Sequence, residues 1–328
     1  MKIFITGATG FIGRHVVKRL AGSGYELRCL VRATSDVDEL QKQGVTLVTG
    51  DVTDKGSILA GIRGCEWVIN LANAYSYWEP DKRTYEGINV RGTQNVMECA
   101  LAAGVSKVVH ISSVVIYGKP EQSPFSEESP IGPRRFSRYA QTKYEGDLIA
   151  WDLYEKNNLP LVMIYPGAVM GPGDPKATGK YIKDMIERRL PATLYLDSRL
   201  TFVHVRDVAE VIVRALEKKG NAGEKYFACG QHLSFREINT MIKEIAGVPL
   251  PRLTLPDWLV PVNAALLTAV ADLIKKPPLW GLSVDQISTM RAGFVADGSK
   301  AARELGITYT PIRVAVEEAI ASYQPAHS

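Results

Sequence analysis

Apolar, β-branched runs alternate with stretches of helical periodicity through the first half of the chain. The predicted strands lie at 1–6, 26–31, 45–49, 67–71, 107–112 and 161–165. The predicted helices between them lie at 14–20, 36–42, 55–62, 85–103 and 137–156. Since the strands are apolar at almost every position, both faces of their sheet should be buried. The pattern predicts an α/β protein with a doubly wound parallel sheet.

This regular alternation ends after Pro166. Glycine- and proline-rich loops follow, and the remaining helical patterns lie at 181–189, 207–218, 234–246, 258–274 and 312–322. We therefore predict a sheet domain at 1–166, with a returning segment near 200–230, and a smaller, mostly helical region at 167–328.

The first predicted strand runs directly into the glycine-rich turn Gly7-Ala-Thr-Gly10-Phe-Ile-Gly13. A strand, a glycine turn and a helix form the Rossmann-type dinucleotide unit, in which free N–H groups and the helix dipole hold a pyrophosphate. Gly7 suits the tight turn, Gly10 the approach of phosphate, and Gly13 close packing of helix and strand. The predicted dinucleotide contacts are Gly7, Thr9, Gly10, Phe11, Ile12 and Gly13.

The end of the second strand indicates which nicotinamide dinucleotide is bound. Arg32 stands where an NAD-selective site carries a carboxylate for the ribose 2′-hydroxyl. A guanidinium favours a 2′-phosphate instead, and Arg14 or Ser35 could assist. Asp36 or Asp38 could alternatively turn toward the ribose. We predict NADP(H) in preference to NAD(H).

A tyrosine and a lysine four residues apart lie in the predicted helix at 137–156. The spacing places Tyr139 and Lys143 on one helix face, where a cation can stabilise a phenolate. Ser113 follows the strand at 107–112, so its hydroxyl should point into the cleft at the carboxyl ends of the strands. We predict that Ser113, Tyr139 and Lys143 are catalytic.

The loop after the fourth strand reads Asn73-Ala-Tyr-Ser-Tyr-Trp78. Its aromatic side chains would suit a flat or apolar substrate, with Phe202 and Trp258 nearby. The predicted substrate contacts are Ala74, Tyr75, Tyr77, Ser113 and Phe202.

Composition narrows the remaining classes of function. The net charge is +4 with dispersed basic residues, which gives no support for nucleic-acid binding. The four cysteines form no C-x-x-C pair, so we expect reduced thiols, a cytoplasmic location and no metal. The chain enters its first strand at once, leaving no room for a signal peptide. The apolar stretch at 258–274 is too short to span a bilayer; contact with a membrane surface or a partner stays open.

Six ordered motifs together resemble the short-chain dehydrogenase/reductase superfamily, in its extended or atypical branch of NAD-dependent epimerases and dehydratases. They lie at 6–13, 50–54, 89–95, 112–113, 139–143 and 202–207. Within that branch the chain looks most like dihydroflavonol-4-reductase-like and hopanoid-associated sugar epimerase proteins.

The resemblance implies further roles for single residues. Asp51 and Val52 match the adenine loop, and Leu71 and Ala72 match the strand end beside the ribose. By the same resemblance Lys143 also meets the nicotinamide ribose, and Pro166 and Val169 belong to the loop at the carboxamide. Asn89 matches a helix-kinking asparagine beside the active site and is predicted to be catalytic on that ground; the alternative is a purely structural helix residue without a catalytic role.

Three functions follow from the resemblance. The first is an NADP(H)-dependent carbonyl reductase or alcohol dehydrogenase of the dihydroflavonol-reductase kind, acting on a small carbonyl or alcohol. The second is a nucleotide-sugar epimerase or dehydratase that retains NAD, disfavoured because Ala168 stands where those enzymes carry asparagine. The third is a non-catalytic dinucleotide-binding regulator. Pairing of the helices at 85–103 and 137–156 would make a homodimer.

Overall fold

The computed structural model describes residues 1–323. Within them the chain forms twelve strands: β1 (Lys2–Thr6), β2 (Glu26–Val31), β3 (Thr46–Thr49), β4 (Trp67–Asn70), β5 (Lys107–Ile111), β6 (Leu161–Pro166), β7 (Ala168–Met170), β8 (Ala192–Thr193), β9 (Arg199–His204), β10 (Lys225–Ala228), β11 (Gln231–Ser234) and β12 (Leu253–Thr254). Residues 324–328, the end of the region predicted at 167–328, lie outside the described residues.

The same residues form thirteen α-helices. They are α1 (Phe11–Leu20), α2 (Asp38–Lys42), α3 (Lys55–Ile62), α4 (Arg83–Tyr85), α5 (Thr93–Ala102), α6 (Arg138–Asn157), α7 (Ala177–Ile186), α8 (Val205–Glu217), α9 (Phe235–Ala246), α10 (Leu259–Ile274), α11 (Val284–Ala292), α12 (Ser299–Leu305) and α13 (Ile312–Tyr323). Short 3₁₀ segments lie at Val114–Tyr117 and Leu279–Gly281.

Seven parallel strands in the order β10-β6-β5-β4-β1-β2-β3 form the main sheet. One face packs against α1, α8 and α12, and the other against α3, α5 and α6. The strand order reverses between β1 and β4, where such sheets bind ligands at their carboxyl ends. The prediction of a doubly wound parallel sheet is therefore confirmed.

The returning part of the chain contributes a whole strand to this sheet. β10 pairs with β6, with Tyr226 beside Ile164, so residues 225–228 form one edge of the seven-stranded sheet. The sequence predicts a returning segment here but no strand, because the apolar run covers only four residues.

The helix predicted at 85–103 is interrupted. A π-helical segment at Glu86–Gly92 separates α4 from α5, and π-helical turns often accompany functional sites. The side chain of Asn89, in the middle of this segment, bonds outside the helix, as described below.

The smaller region has its own core, built from α7, α9, α13 and the three-stranded sheet β11-β9-β7. That sheet could not be predicted from the sequence, because its strands are short and come from distant parts of the chain. α10 and α11 pack together beside it. Among the described residues, no helix combines the length and the apolar character needed to cross a bilayer.

Candidate active site and cofactor cradle

The glycine turn between β1 and α1 is shaped by contacts that leave no room for side chains. Gly7 has φ +71°, and a Cβ added there would lie 2.5 Å from the carbonyl carbon of Leu71. A Cβ at Gly13 would lie 2.1 Å from the Gly7 carbonyl oxygen. At Gly10 the same added atom would meet only that oxygen, at 3.1 Å. The turn is therefore closed toward β4 and open on the side of Gly10, which fits a pyrophosphate at the start of α1.

The end of β4 joins this turn to the rest of the site. The Ala72 backbone N–H donates to Thr6 Oγ1 at 3.2 Å. One residue further, Asn73 Nδ2 donates to the Tyr139 hydroxyl at 3.2 Å. The Tyr139 hydroxyl is therefore connected, through Asn73 and Ala72, to Thr6, the residue that precedes the glycine turn. Asn73 has no predicted role, since a loop has no periodicity that points to a long-range partner.

Tyr139 is buried in helix α6, and its hydroxyl faces the predicted serine. Burial raises the pKa of Tyr139 to about 12, whereas hydrogen bonds with Asn73 and Ser113 act to lower it. The phenol is therefore protonated near neutral pH and can donate a proton. Ser113 itself caps the 3₁₀ segment at Val114–Tyr117.

Lys143 lies one turn further along α6 and is 1% exposed. Its ammonium donates to the Ile111 carbonyl oxygen, at the end of β5, at 2.7 Å. Burial lowers the pKa of Lys143 to about 8, against the raising effect of Asp147. The sequence predicts that Lys143 lowers the pKa of Tyr139. In the structure, the groups that lower this pKa are Asn73 and Ser113. Two N–H bonds of the ammonium remain for other acceptors.

Two further tyrosines surround the ring of Tyr139. The centroid of the Tyr75 ring is 5.2 Å from that of Tyr139, and the centroid of Tyr77 is 6.2 Å away, both edge to face. Ala74 and Tyr85 pack in the same cluster. The loop after β4 thus brings three of its predicted substrate contacts to the phenol.

Asn89 fixes that loop to helix α6. Its Oδ1 accepts from the Ala74 N–H at 2.8 Å, and its Nδ2 donates to Thr142 Oγ1 at 3.1 Å. A Cβ at Gly146 would lie 2.3 Å from the Asn89 carbonyl oxygen, so the helices approach closely. These contacts orient the residues around Tyr139 and are consistent with the structural alternative.

A row of buried polar groups lies beneath the site and was missed from the sequence. Thr6 Oγ1 donates to Asn70 Oδ1 at 2.5 Å, and Asn70 Nδ2 lies 3.0 Å from His110 Nδ1. Ser112 Oγ donates to Asp147 Oδ2 at 2.6 Å. Asp147 is four residues after Lys143, and that spacing was the available signal. His110 Nε2 lies 3.7 Å from Asp147 Oδ1, so polar side chains of β1, β4, β5 and α6 come close together below the cleft.

The remaining predicted cofactor residues lie along the carboxyl edge of the sheet. The Arg32 side chain is exposed just after β2. The Asp51 carboxylate accepts from the Thr53 N–H at 2.9 Å, and Val52 is buried. Pro166 ends β6. The carbonyl of Val169, in β7, accepts from Thr178 Oγ1 at 2.7 Å.

Two aromatic residues lie apart from the tyrosine cluster. Phe202 is 1% exposed and packs in the core of the smaller region with Met170 and Ile182. Trp258 is 74% exposed at the start of α10. Neither residue belongs to the cluster around Tyr139. Phe202 is directed away from it because β9 turns this side chain toward α7 and α9.

A doubly wound sheet with a glycine cradle and a buried Tyr-x-x-x-Lys helix defines a Rossmann-type, nicotinamide-dependent class of protein. Residues 3–229 match the model of the NAD dependent epimerase/dehydratase family. The chain belongs to this family, the extended branch of the short-chain dehydrogenases/reductases, as predicted.

Its similarity to individual proteins extends over nearly the whole chain. It is 31% identical to a Synechocystis sp. protein named after dihydroflavonol 4-reductase, over 98% of this chain and 94% of that one. It is also 31% identical to sterol demethylase protein B of Methylococcus capsulatus, over 99% and 98% of the two chains. The crystal structure of gox2253 superposes with a TM-score of 0.85 at 34% identity, covering 98% and 97%.

Proposed function

We propose that this protein is an NADP(H)-dependent carbonyl reductase or alcohol dehydrogenase, similar to the dihydroflavonol-4-reductase-like members of its family. The hydrogen bond from Asn73 to the Tyr139 hydroxyl carries this proposal. It connects the strand end beside the glycine turn with a buried, protonated phenol, so a proton donor lies next to the cofactor cradle.

The residues that would hold the dinucleotide follow the carboxyl edge of the sheet. Gly7, Gly10 and Gly13 would receive the pyrophosphate, Asp51 and Val52 the adenine, and Leu71 and Ala72 the ribose. Lys143 would bind the second ribose, with Pro166 and Val169 beside the carboxamide. When bound, the dinucleotide supplies or accepts the hydride.

The side chains provide the proton transfer and orientation that such a reaction needs. In reduction, Ser113 would donate a hydrogen bond to the carbonyl oxygen, and Tyr139 would transfer its proton to that oxygen as negative charge develops there. The Lys143 ammonium would stabilise the phenolate that remains, using N–H bonds not engaged by Ile111. Asn73 would keep the phenol oxygen in position. In oxidation the same proton moves back.

The surroundings of the phenol favour an apolar carbonyl or alcohol. Tyr75 and Tyr77 enclose the Tyr139 ring, and burial raises the pKa of Tyr75 well above its ordinary value. These neutral rings give an aromatic wall that suits a flat or hydrocarbon-rich molecule. The smaller region, at 167–328, would complete the substrate site.

An assay with two groups of substrates tests the function. The protein is incubated with NADPH or NADH and either aromatic and alicyclic ketones or UDP- and dTDP-sugars. We expect stoichiometric oxidation of NADPH with formation of alcohol from at least one apolar ketone. Interconversion of a nucleotide sugar without net consumption of cofactor would contradict the reductase and support the epimerase. Cofactor binding without either reaction would support the non-catalytic regulator.

The preference for NADP(H) is proposed from the charges after β2. Arg14 pairs with Asp36 at 3.3 Å and with Glu39 at 3.5 Å. The ion pair with Arg14 engages Asp36, one of the two aspartates that could bind a ribose 2′-hydroxyl. Within residues 1–323 the exposed Arg32 forms no ion pair. Its guanidinium is therefore free to receive a 2′-phosphate.

Replacement of Arg32 by alanine should weaken NADPH binding by about tenfold or more, the usual effect of a lost charge-assisted hydrogen bond. NADH binding should change little, because NADH lacks the phosphate. Titration calorimetry with both cofactors measures the two dissociation constants. Arg63→Ala, which removes an exposed arginine from a distant loop, is the control. An equal loss for both cofactors would contradict the assignment of Arg32.

A further inference from the structure

Helix α10 carries its apolar side chains on the outside. Every exposed residue within Leu259–Ile274 is apolar. The large ones are Val262 at 52% exposure, Leu266 at 63%, Val270 at 54%, Leu273 at 82% and Ile274 at 53%. We call these five residues the outer face of α10. They follow a spacing of three to four residues, so they form one continuous stripe along the helix.

The polar side chains of the same helix are hydrogen-bonded within the protein. The Asp272 carboxylate accepts from Trp78 Nε1 at 2.8 Å and pairs with Lys82 at 3.3 Å. Thr268 Oγ1 accepts from the Val284 N–H at 3.0 Å, and Asn263 bonds within its own helix. A helix on the surface of a protein in water has the opposite arrangement. An exposed apolar patch of this kind marks a surface that contacts something other than water.

The residues at the two ends of α10 indicate what kind of surface its outer face contacts. Trp258, 74% exposed, precedes the outer face, and Trp280, 38% exposed, follows it. Lys275 and Lys276 directly follow the helix, and no described residue forms an ion pair with either. Tryptophans at both ends and unpaired lysines beside an apolar stripe are typical of helices that lie in a membrane interface.

We propose that the outer face of α10 docks on the surface of a bilayer containing anionic lipids, with the helix lying in the plane of the interface. The sixteen residues of α10 give a length of about 24 Å, too short for a span but sufficient for an interfacial helix. A second copy of the chain is a less suitable occupant, because the exposed lysines would gain nothing from an apolar contact with it. They gain attraction from lipid phosphates.

The docked helix would lie next to the substrate loop. Trp78 and Lys82 of that loop contact Asp272, and Ser283 Oγ, just before α11, donates to the Tyr77 carbonyl at 2.8 Å. A membrane-seated α10 would thus place the tyrosine cluster near the lipid, where an apolar ketone or alcohol accumulates. This consequence rests on the proposed function, whereas docking itself does not require any catalytic activity.

Vesicle flotation tests the docking directly. The full chain is mixed with vesicles of phosphatidylcholine alone, or of phosphatidylcholine with about one quarter phosphatidylglycerol, at near-physiological salt. We expect flotation with the anionic vesicles and weaker flotation with the neutral ones. Failure of the protein to float with either kind would overturn the proposal.

Paired variants separate the apolar and the basic contributions. The double variant Leu266→Glu/Val270→Glu should bind anionic vesicles at least about tenfold more weakly. Lys275→Gln/Lys276→Gln should lose about fivefold per lysine, on anionic vesicles only. Leu59→Glu/Ile131→Glu changes two exposed apolar residues on other surfaces and should bind as the parent does. Equal binding by all these variants would overturn the proposal.

Three further measurements on the same preparations distinguish the possible outcomes. Thermal unfolding checks that the variants are folded, which we expect because Leu266 and Val270 are more than half exposed and Leu59 and Ile131 are also on the surface. Light scattering detects self-association, and a parent dimer that Leu266→Glu/Val270→Glu converts to monomer would identify a second copy as the occupant. Reduction of a water-soluble ketone reports the proposed function separately, since its loss in the parent would leave the vesicle result intact.

Discussion

Replacement of Tyr139 by phenylalanine is expected to lower kcat for ketone reduction by about a thousandfold, the range found for loss of a general acid. The change removes the hydroxyl that Asn73 contacts at 3.2 Å and leaves the ring against Tyr75 and Tyr77. The site therefore keeps its shape and loses the group that would transfer the proton. Steady-state kinetics with NADPH and a responsive ketone measure the effect.

Cofactor binding separates this loss from a general defect. The dissociation constant for NADPH should stay within about threefold of the parent value, because the glycine turn is untouched. Tyr144→Phe is the matched control, since Tyr144 lies on the same helix with its ring 4.8 Å from the Arg135 guanidinium. That variant should keep full activity. A Tyr139→Phe enzyme with more than a tenth of the parent kcat would exclude Tyr139 as the proton donor.

The parts of the site that follow local rules could be predicted from the sequence. Gly7 is required by its left-handed backbone angle, and Gly13 is required by its close contacts with Gly7 and Ala8. Both requirements act over a few residues of one strand-turn-helix unit. Tyr139 and Lys143 share a helix face because of their spacing alone. The parallel sheet followed in the same way from the apolar strand runs.

The parts that depend on distant residues could not be predicted. Asn73 reaches Tyr139 only because β4 and α6 meet at one edge of the sheet. The ammonium of Lys143 also donates to the Ile111 carbonyl oxygen, because the end of β5 lies beside the helix. No pattern in either segment contains this information.

The polarity of α10 is a third example. Its composition predicts a helix, but the side that faces the protein depends on contacts with residues far away in the sequence. Trp78 and Lys82 contact Asp272, and Val260, Ala264 and Ala271 are buried against the protein. The outward apolar stripe is a consequence of these tertiary contacts, so it is visible only in the folded chain.

Gly13→Ala is the second change with a large expected effect, because the new methyl group has no flexible neighbour. Its carbon would lie 2.1 Å from the Gly7 carbonyl oxygen and 2.8 Å from the Ala8 Cα, both backbone atoms. The first turn of α1 must then move away from β1, which disrupts the N–H groups proposed to receive the pyrophosphate. We expect NADPH affinity to fall by about a hundredfold and the free energy of unfolding to fall by about 1–3 kcal/mol, as for other overpacked sites.

Calorimetry with NADPH and denaturant unfolding measure the two effects, and Gly87→Ala is the matched control because its Cβ would meet nothing nearer than the Arg91 guanidinium at 3.8 Å. Gly10→Ala should separate the two effects. Its Cβ has a single near neighbour, at 3.1 Å, so the fold should hold while the open side of the turn becomes partly filled. We therefore expect weaker NADPH binding with little change in unfolding. If both Gly10→Ala and Gly13→Ala bind NADPH as the parent does, the cofactor does not bind at this turn. That result would contradict the proposed dehydrogenase.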